Sequence, residues 1–295
     1  MALYVQTNTS SINSQRMLAR STRQLDTSYE RLSSGLRINS AKDDAAGLQI
    51  SNRMASQING LTQGNRNAND GISMCQVTEG ALDEVTSMLQ RIRTLAIQSA
   101  NGTNSSAERI AINEEVQQLI KEVRRVGTDT SYGGNLKILG SGVGSTVFQV
   151  GSNAYQTISL TMKSLSKLVT VTAAVNIPNS SGITANIAQN TTLSDMTVLS
   201  AADSQKTIAF MSEIIRQVDS YRAELGAVQN RMESTISNQE NVIENVSDAR
   251  ARIRDVDYAV ETANMTQQSI IQQASTTILT QANQKTQIAM NLLQG

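Results

Sequence analysis

The chain has 295 residues, with no histidine, no tryptophan, one cysteine and one proline, and its 25 basic side chains balance 25 acidic ones. Zero net charge argues against a nucleic-acid partner, and the absence of His beside a lone Cys excludes His-based triads, His/Cys zinc sites and intrachain disulfides. Hydrophobic residues at 39% and aromatics at 3% are too few for one thick core and suit long helices that bury a narrow seam.

No segment reaches the 18 or more apolar residues of a membrane helix, so no membrane insertion is expected. Residues 1–15 are uncharged and rich in Asn, Ser, Thr and Gln, without the basic and apolar regions of a cleaved secretion signal. That fits a cytoplasmic chain, or one exported by a route that needs no cleaved peptide. Residues 12–125 are mostly helical in pattern. Leu18, Leu25 and Leu32 stand seven apart, and Leu82, Val85, Leu89, Ile92 and Ala96 form one stripe. Residues 36–47 interrupt this pattern. Ser40 with Asp43, or Asp43 alone, is expected to cap the next helix, which carries Ile50, Met54 and Ile58. After a loop at 101–104, Ser105 or Ser106 with Glu108 opens a helix through Val116, Leu119, Ile120 and Val123.

The middle changes period. Short strands are expected at 136–139, 147–150, 156–160 and 169–172, split by Gly-containing turns, and residues 162–200 read as a small exposed insertion. The return leg carries the strongest signal. Met211, Val218, Leu225, Met232, Gln239, Val246 and Ile253 keep an unbroken spacing of seven, with Ile208, Ile215, Ile236 and Ile243 as partner positions. A helix over 201–254 would be on the order of 80 Å long. Residues 256–295 then carry only Asp257, Glu261 and Lys285 as charges, while Ile271, Ala274, Ile278, Ala282, Ile288 and Leu292 recur at helical intervals.

The two ends thus resemble each other, and pairing first with last gives a mainly α fold. The expected architecture is a long antiparallel helical coiled-coil rod with a small β-hairpin region and a short variable surface insertion. Its ends are too polar to fold alone and too poor in charge to be well solvated, which suits packing against copies of the same chain. The other motifs have plainer readings. Asp43 and Asp44 suit a helix N-terminus. Cys75 reads as a buried inert thiol, and the methionines as adaptable packing. The glycines at 140–144 lack the Lys-Ser/Thr of a phosphate loop. The Asn-X-Ser/Thr triplets at Asn101, Asn104, Asn179 and Asn190 are what chance yields in such a composition, while Ser145, Ser164, Ser166, Ser180 and Ser181 are candidate O-glycosylation acceptors. No constellation supports catalysis, a metal or a cofactor.

Several strings are specific. They are ERLSSGLRINSAKDDAAGL at 30–48, RNANDGIS at 66–73, TEGAL at 78–82, LGAVQNR at 225–231, RIRDVD at 252–257, QQAS at 272–275 and QANQ at 281–284. Over roughly 2–150 and 200–295 the chain resembles bacterial flagellin, with small departures: Met232 stands where Phe is common, and Gln239 and Thr286 replace Leu and Pro. The resemblance implies terminal helices at 1–44 plus 256–295 forming an inner tube. It implies a helical rod with β-hairpins at 45–160 plus 200–255, and a reduced surface insertion at 161–199. Leu18, Leu25, Leu32, Leu89, Ile92, Met211, Val218, Leu225, Met232, Val246, Ile253, Ile271, Ile278 and Leu292 are then the seam and self-assembly positions. It also implies secretion through the flagellar type III export apparatus, a chaperone on the C-terminal segment, filament cap and hook-junction proteins as neighbours, and an extracellular filament. A Toll-like innate receptor reads this family at positions that match Gln90, Arg91, Leu95 and Glu115. The alternative within the superfamily is a hook–filament junction protein. Outside it, a soluble coiled-coil adaptor would not need charge-free termini.

Overall fold

The computed structural model describes residues 7–134, 136–140, 144–171, 175–177, 185–187 and 191–293. Six α-helices dominate them: α1 (Thr9–Ser34), α2 (Ala45–Ala100), α3 (Ser106–Asp129), α4 (Leu165–Leu168), α5 (Ala201–Arg254) and α6 (Tyr258–Leu293). The chain divides into two compact units, residues 1–58 with 242–295 and residues 59–241.

In the first unit α1 is capped by Asn8, whose side chain accepts from the Ser11 N–H at 3.1 Å. It stops at Gly35, where φ of 72° is a left-handed conformation that glycine adopts without strain. The expected break follows, but its caps are assigned differently from the sequence reading. Asp44, one residue beyond Asp43, accepts from the Ala46 and Gly47 N–H groups at 3.0 Å and opens α2. Asp43 instead closes a turn by accepting from the N–H groups of Ser40 (2.9 Å) and Asn39 (3.1 Å) and from the Ser40 hydroxyl. These hydrogen bonds, those from Ser40 foremost, hold its carboxyl below the usual range. Opposite this break the return leg also breaks, and backbone bonds join the two. Leu36 bridges Asp255, the Arg37 N–H donates to the Arg254 carbonyl at 2.6 Å, and the Val256 N–H donates to the Gly35 carbonyl at 3.0 Å. The Arg37 guanidinium donates to the Ile253 carbonyl at 2.6 Å, satisfying an orphan acceptor at the end of α5.

In the second unit α2 and α5 run antiparallel, as Arg222 with Asp83 (3.1 Å) and Arg93 with Ser212 (3.1 Å) show. From Leu61 to Ser99 a buried row of α2 follows an unbroken alternation of three and four, Leu61, Gly64, Ala68, Gly71, Cys75, Thr78, Leu82, Val85, Leu89, Ile92, Ala96 and Ser99, with Met74, Thr86 and Leu95 buried beside it. On α5 the predicted row Met211, Val218, Leu225 and Met232 is fully buried. The second row is Thr207, Ile214 and Tyr221, one residue before the expected Ile208 and Ile215, which are only partly buried. Helix α3 opens with the expected capping box, Ser105 and Glu108 bonding each other's backbone, and inserts Val116, Ile120 and Val123 into the same core.

The strands are short antiparallel pairs. β1 (Ser131–Tyr132) pairs with β2 (Leu136–Lys137), β3 (Ser145–Gln149) with β4 (Thr157–Thr161), β5 (Thr170–Val171) with β8 (Thr191–Thr192), and β6 (Val175–Ile177) with β7 (Ala185–Ile187). The flanks of the supposed insertion are not surface. Met162, Leu165, Leu168, Val169, Leu193, Met196 and Val198 belong to the main core. Its Ser/Thr/Asn-rich composition hid these scattered apolar residues, which pack without a regular period.

Candidate assembly surface

The pair α1–α6 has an unusual seam. Its heptad row on α1 is Ser11, Ser14, Leu18, Ser21, Leu25, Ser28 and Leu32, so serines fill the places between the predicted leucines. Leu25 and the serines are buried, while Leu18 and Leu32 are half-buried. The facing row on α6 is Glu261, Met265, Gln268, Gln272, Ser275, Leu279 and Ala282, an alternation of four and three. Several polar contacts cross the seam. The Ser21 hydroxyl donates to the Gln268 carbonyl at 2.8 Å, the Asn8 amide to the Ala282 carbonyl at 2.8 Å, and the Ser28 hydroxyl to the buried Glu261 carboxylate at 2.6 Å. Arg31 lies 3.5 Å from the second oxygen of Glu261. A charged group placed once in rows that are otherwise uncharged fixes register, because a shift would leave it buried and unpaired.

The isoleucines of α6 point elsewhere. Ile278 is 54% exposed and Ile270 61%, and Ile271 is also exposed, so Ile271 and Ile278 do not belong to the seam as predicted. Each stands one residue before a seam position, Gln272 and Leu279, about 100° round the helix. The apolar stripe was real, but it faces outward, where Tyr258, Thr262, Ala263, Thr266, Ile270 and Ile271 line a shallow open groove. Ile12, Met17 and Tyr29 are likewise exposed on α1. Leu292 lies inside α6, and its side chain falls outside the described residues. In this unit Leu25, Ile38 and Ala282 are the fully buried apolar side chains among the described residues, against a core of more than twenty in the other unit.

The remaining predicted positions separate. Leu89, Ile92, Met211, Val218, Leu225 and Met232 are buried, whereas Val246 and Ile253 are half-buried. Gln90, Arg91 and Glu115 are exposed and adjacent, with Arg91 donating to Glu115 at 2.7 Å. Leu95 is only 3% exposed, because it packs beside the Ile92–Ala96 row, so it offers no surface to a receptor. Ser145 and Ser166 are exposed, but Ser164 is buried as the cap of α4 and is no accessible sugar acceptor. Ser180 and Ser181 lie outside the described residues. Cys75 is buried, and burial, aided by Glu79, pushes its thiol up to about 11, as expected of an inert thiol.

One feature had no sequence signal. The turn between β3 and β4 lies on the helix pair at Gly64, where a Cβ would come within 1.9 Å of the Val150 carbonyl oxygen. Gln239, buried in the α5 seam, donates to that carbonyl at 2.7 Å, and Asn67 donates to the Gln149 carbonyl at 2.8 Å. At the tip of the turn Tyr155 has φ of 66° and is 95% exposed. A left-handed backbone costs a residue with a Cβ about 1–2 kcal/mol.

Among the described residues no group of three or more His, Cys, Asp or Glu could hold a metal, and no helix is long and apolar enough to cross a membrane. Comparison with known proteins gives concordant matches. Residues 5–140 match the family model of the bacterial flagellin N-terminal helical region, and residues 208–293 that of the C-terminal helical region. The chain is similar to flagellin A of Vibrio cholerae, 37% identical over 380 aligned positions that span all of both chains. It is 55% identical over 166 residues to B-type flagellin of Pseudomonas aeruginosa, a match covering 56% of this chain and 34% of that relative. Among solved structures, a flagellar hook-associated protein of Vibrio parahaemolyticus shares the fold with a TM-score of 0.56 at 12% identity, covering 72% of this chain and all of the other.

Proposed function

The chain belongs to the bacterial flagellin family, and on that premise we propose that the outward faces of α1 and α6 are the surfaces by which it assembles as the structural subunit of an extracellular flagellar filament. The observation that carries this is the arrangement of α6: Glu261, Gln268, Gln272 and Ser275 take four of its seven seam positions, while Ile270, Ile271 and Ile278 face outward. A contiguous exposed apolar stripe is the mark of an interaction site. The seam alone buries so little apolar surface that neighbouring copies must supply the rest of the stabilisation. Residues 1–44 with 256–295 act as the inner assembly part, and residues 45–160 with 200–255, together with the core-packed flanks of 161–199, as the outer helical part. The role needs no catalytic step and no cofactor.

Further partners follow from the family. The export apparatus and a chaperone would engage the C-terminal segment before assembly, and the cap and hook-junction proteins would bound the polymer. For a host receptor, Gln90, Arg91 and Glu115 supply a polar patch, without Leu95. The test is electron microscopy of purified protein after seeding. Long helical fibres are expected. Assembly that stops at a single ring would favour a hook–filament junction protein, and a small soluble oligomer would favour an adaptor.

A further inference from the structure

We propose that Asn101 is a site of self-modification, where attack by the Gly102 backbone nitrogen expels the side-chain amide and leaves a carboxylate, with Arg109 activating the attack. The chemistry needs no assembly and stands apart from the filament reading. Asn101 and Gly102 directly follow Ala100, the last residue of α2, and both are exposed. Among the described residues the Asn101 side chain makes no hydrogen bond, and the Gly102 N–H donates to no acceptor. Both reacting groups are therefore free to meet. Glycine favours the encounter, because it has no Cβ to crowd the nitrogen and its backbone turns freely. The oxygen of the same peptide is held from two sides. The Asn104 N–H donates to the Asn101 carbonyl at 3.3 Å, closing a tight turn, and Arg109 Nη2 donates to it at 3.0 Å. Arg109 is itself fixed, since its Nη1 donates to the Ser99 carbonyl at the end of α2.

The Gly102 nitrogen attacks once its proton has left, and the charge of that anion rests largely on the Asn101 carbonyl oxygen. A guanidinium and an N–H already aimed at this oxygen stabilise the anion as an oxyanion hole does. The new bond joins the Gly102 nitrogen to Asn101 Cγ, and the Cγ–Nδ2 bond breaks. The amide departs as ammonia, taking up the proton that the backbone nitrogen gave to solvent. Water then opens the five-membered imide. Cleavage of the nitrogen–Cγ bond leaves an aspartate, and cleavage of the nitrogen–main-chain carbonyl bond leaves an isoaspartate, whose chain runs through the former side chain. Either product adds one negative charge to a chain of balanced charge, beside the carbonyl that Arg109 holds. A second Asn-Gly pair, Asn59 and Gly60, lies inside α2. There the Gly60 N–H is committed to the helix, so the same dipeptide is an internal control.

The experiment is peptide mapping by mass spectrometry of the full chain, incubated at pH 8 both native and in urea. In the native protein the peptide holding Asn101 should become one mass unit heavier and split into two products, while the peptide holding Asn59 stays unchanged. In urea both should convert. A native Asn101 that is still intact when the urea sample has converted would overturn the proposal. Gly102→Ala should fold as the parent does, because its Cβ meets nothing within 4 Å, and should suppress conversion in both states. Undiminished conversion would overturn attack by that nitrogen. Arg109→Gln should slow native conversion about tenfold, less than a buried oxyanion donor is worth because the loop is exposed, and should change nothing in urea. A native rate equal to the parent's or faster, as a merely loosened loop would give, would overturn the role of Arg109.

Discussion

Two glycines on α2 should respond to the same substitution with opposite signs. At Gly64 an added Cβ meets the Val150 carbonyl oxygen at 1.9 Å and its carbon at 2.7 Å, both backbone atoms that cannot rotate away. The hairpin turn must lift, and the Gln239 amide loses its acceptor inside a buried seam. Overpacking costs about 1–3 kcal/mol. A buried donor left unpaired costs about 1–3 kcal/mol more. Alanine returns roughly 1 kcal/mol of helix propensity. Gly64→Ala should therefore destabilise the subunit by about 1–5 kcal/mol. At Gly80 nothing lies within 4 Å of an added Cβ. Only propensity acts there, so Gly80→Ala should stabilise by about 0.5–1 kcal/mol. Calorimetric melting of the monomer separates the cases, since 1 kcal/mol corresponds to about 2–4 °C for a unit of this size. A rise in melting temperature for Gly64→Ala would refute the close approach of hairpin and helix.

Leu225→Ala, at a fully buried seam position, should lower monomer stability by about 2–5 kcal/mol in urea denaturation. Ile278→Ser, on the outward face of α6, should leave monomer melting unchanged but weaken polymerisation, measured by sedimentation; a destabilised monomer would return this residue to the seam. Cys75 should resist alkylation in the native subunit at pH 8 and react once unfolded. Its thiol is raised to about 11 from an ordinary 9.0, so the folded state holds this proton more tightly than the unfolded chain. The associated stability is complete below pH 9 and falls as pH rises toward 11, which melting of parent against Cys75→Ala across that range will measure.

Sequence periodicity served well where one apolar row faces one partner. The α5 row from Met211 to Met232 and the bounds of that helix agree with the heptad spacing, and the Ser105–Glu108 box was legible because its chemistry is local. It failed where burial and hydrophobicity part company. In α1–α6 more than half of the seam positions are Ser, Gln or Glu, so counting apolar residues selects the outer stripe of α6. The second row of α5 was displaced by one residue because Ile208 and Ile215 are more apolar than Thr207 but lie at the edge of the seam. Leu95 carries no sign of burial in a motif match, and Tyr155 none of its left-handed backbone. The packing of Val150 on Gly64 joins residues far apart in the chain, and no local spacing encodes it.

The central claim is that the α1–α6 pair is completed by neighbouring copies. Hydrogen exchange of the free subunit and of the polymer, read peptide by peptide, tests it most directly. In the free subunit, peptides from α1 and α6 should exchange far faster than those of α2 between Leu82 and Ala96, because only Leu25, Ile38 and Ala282 are fully buried apolar side chains among the described residues of their unit. On polymerisation α1 and α6 should slow by orders of magnitude while the core of α2 changes little. Equal protection of α1 and α6 in both states would mean that the serine seam is sufficient by itself, and would contradict the account.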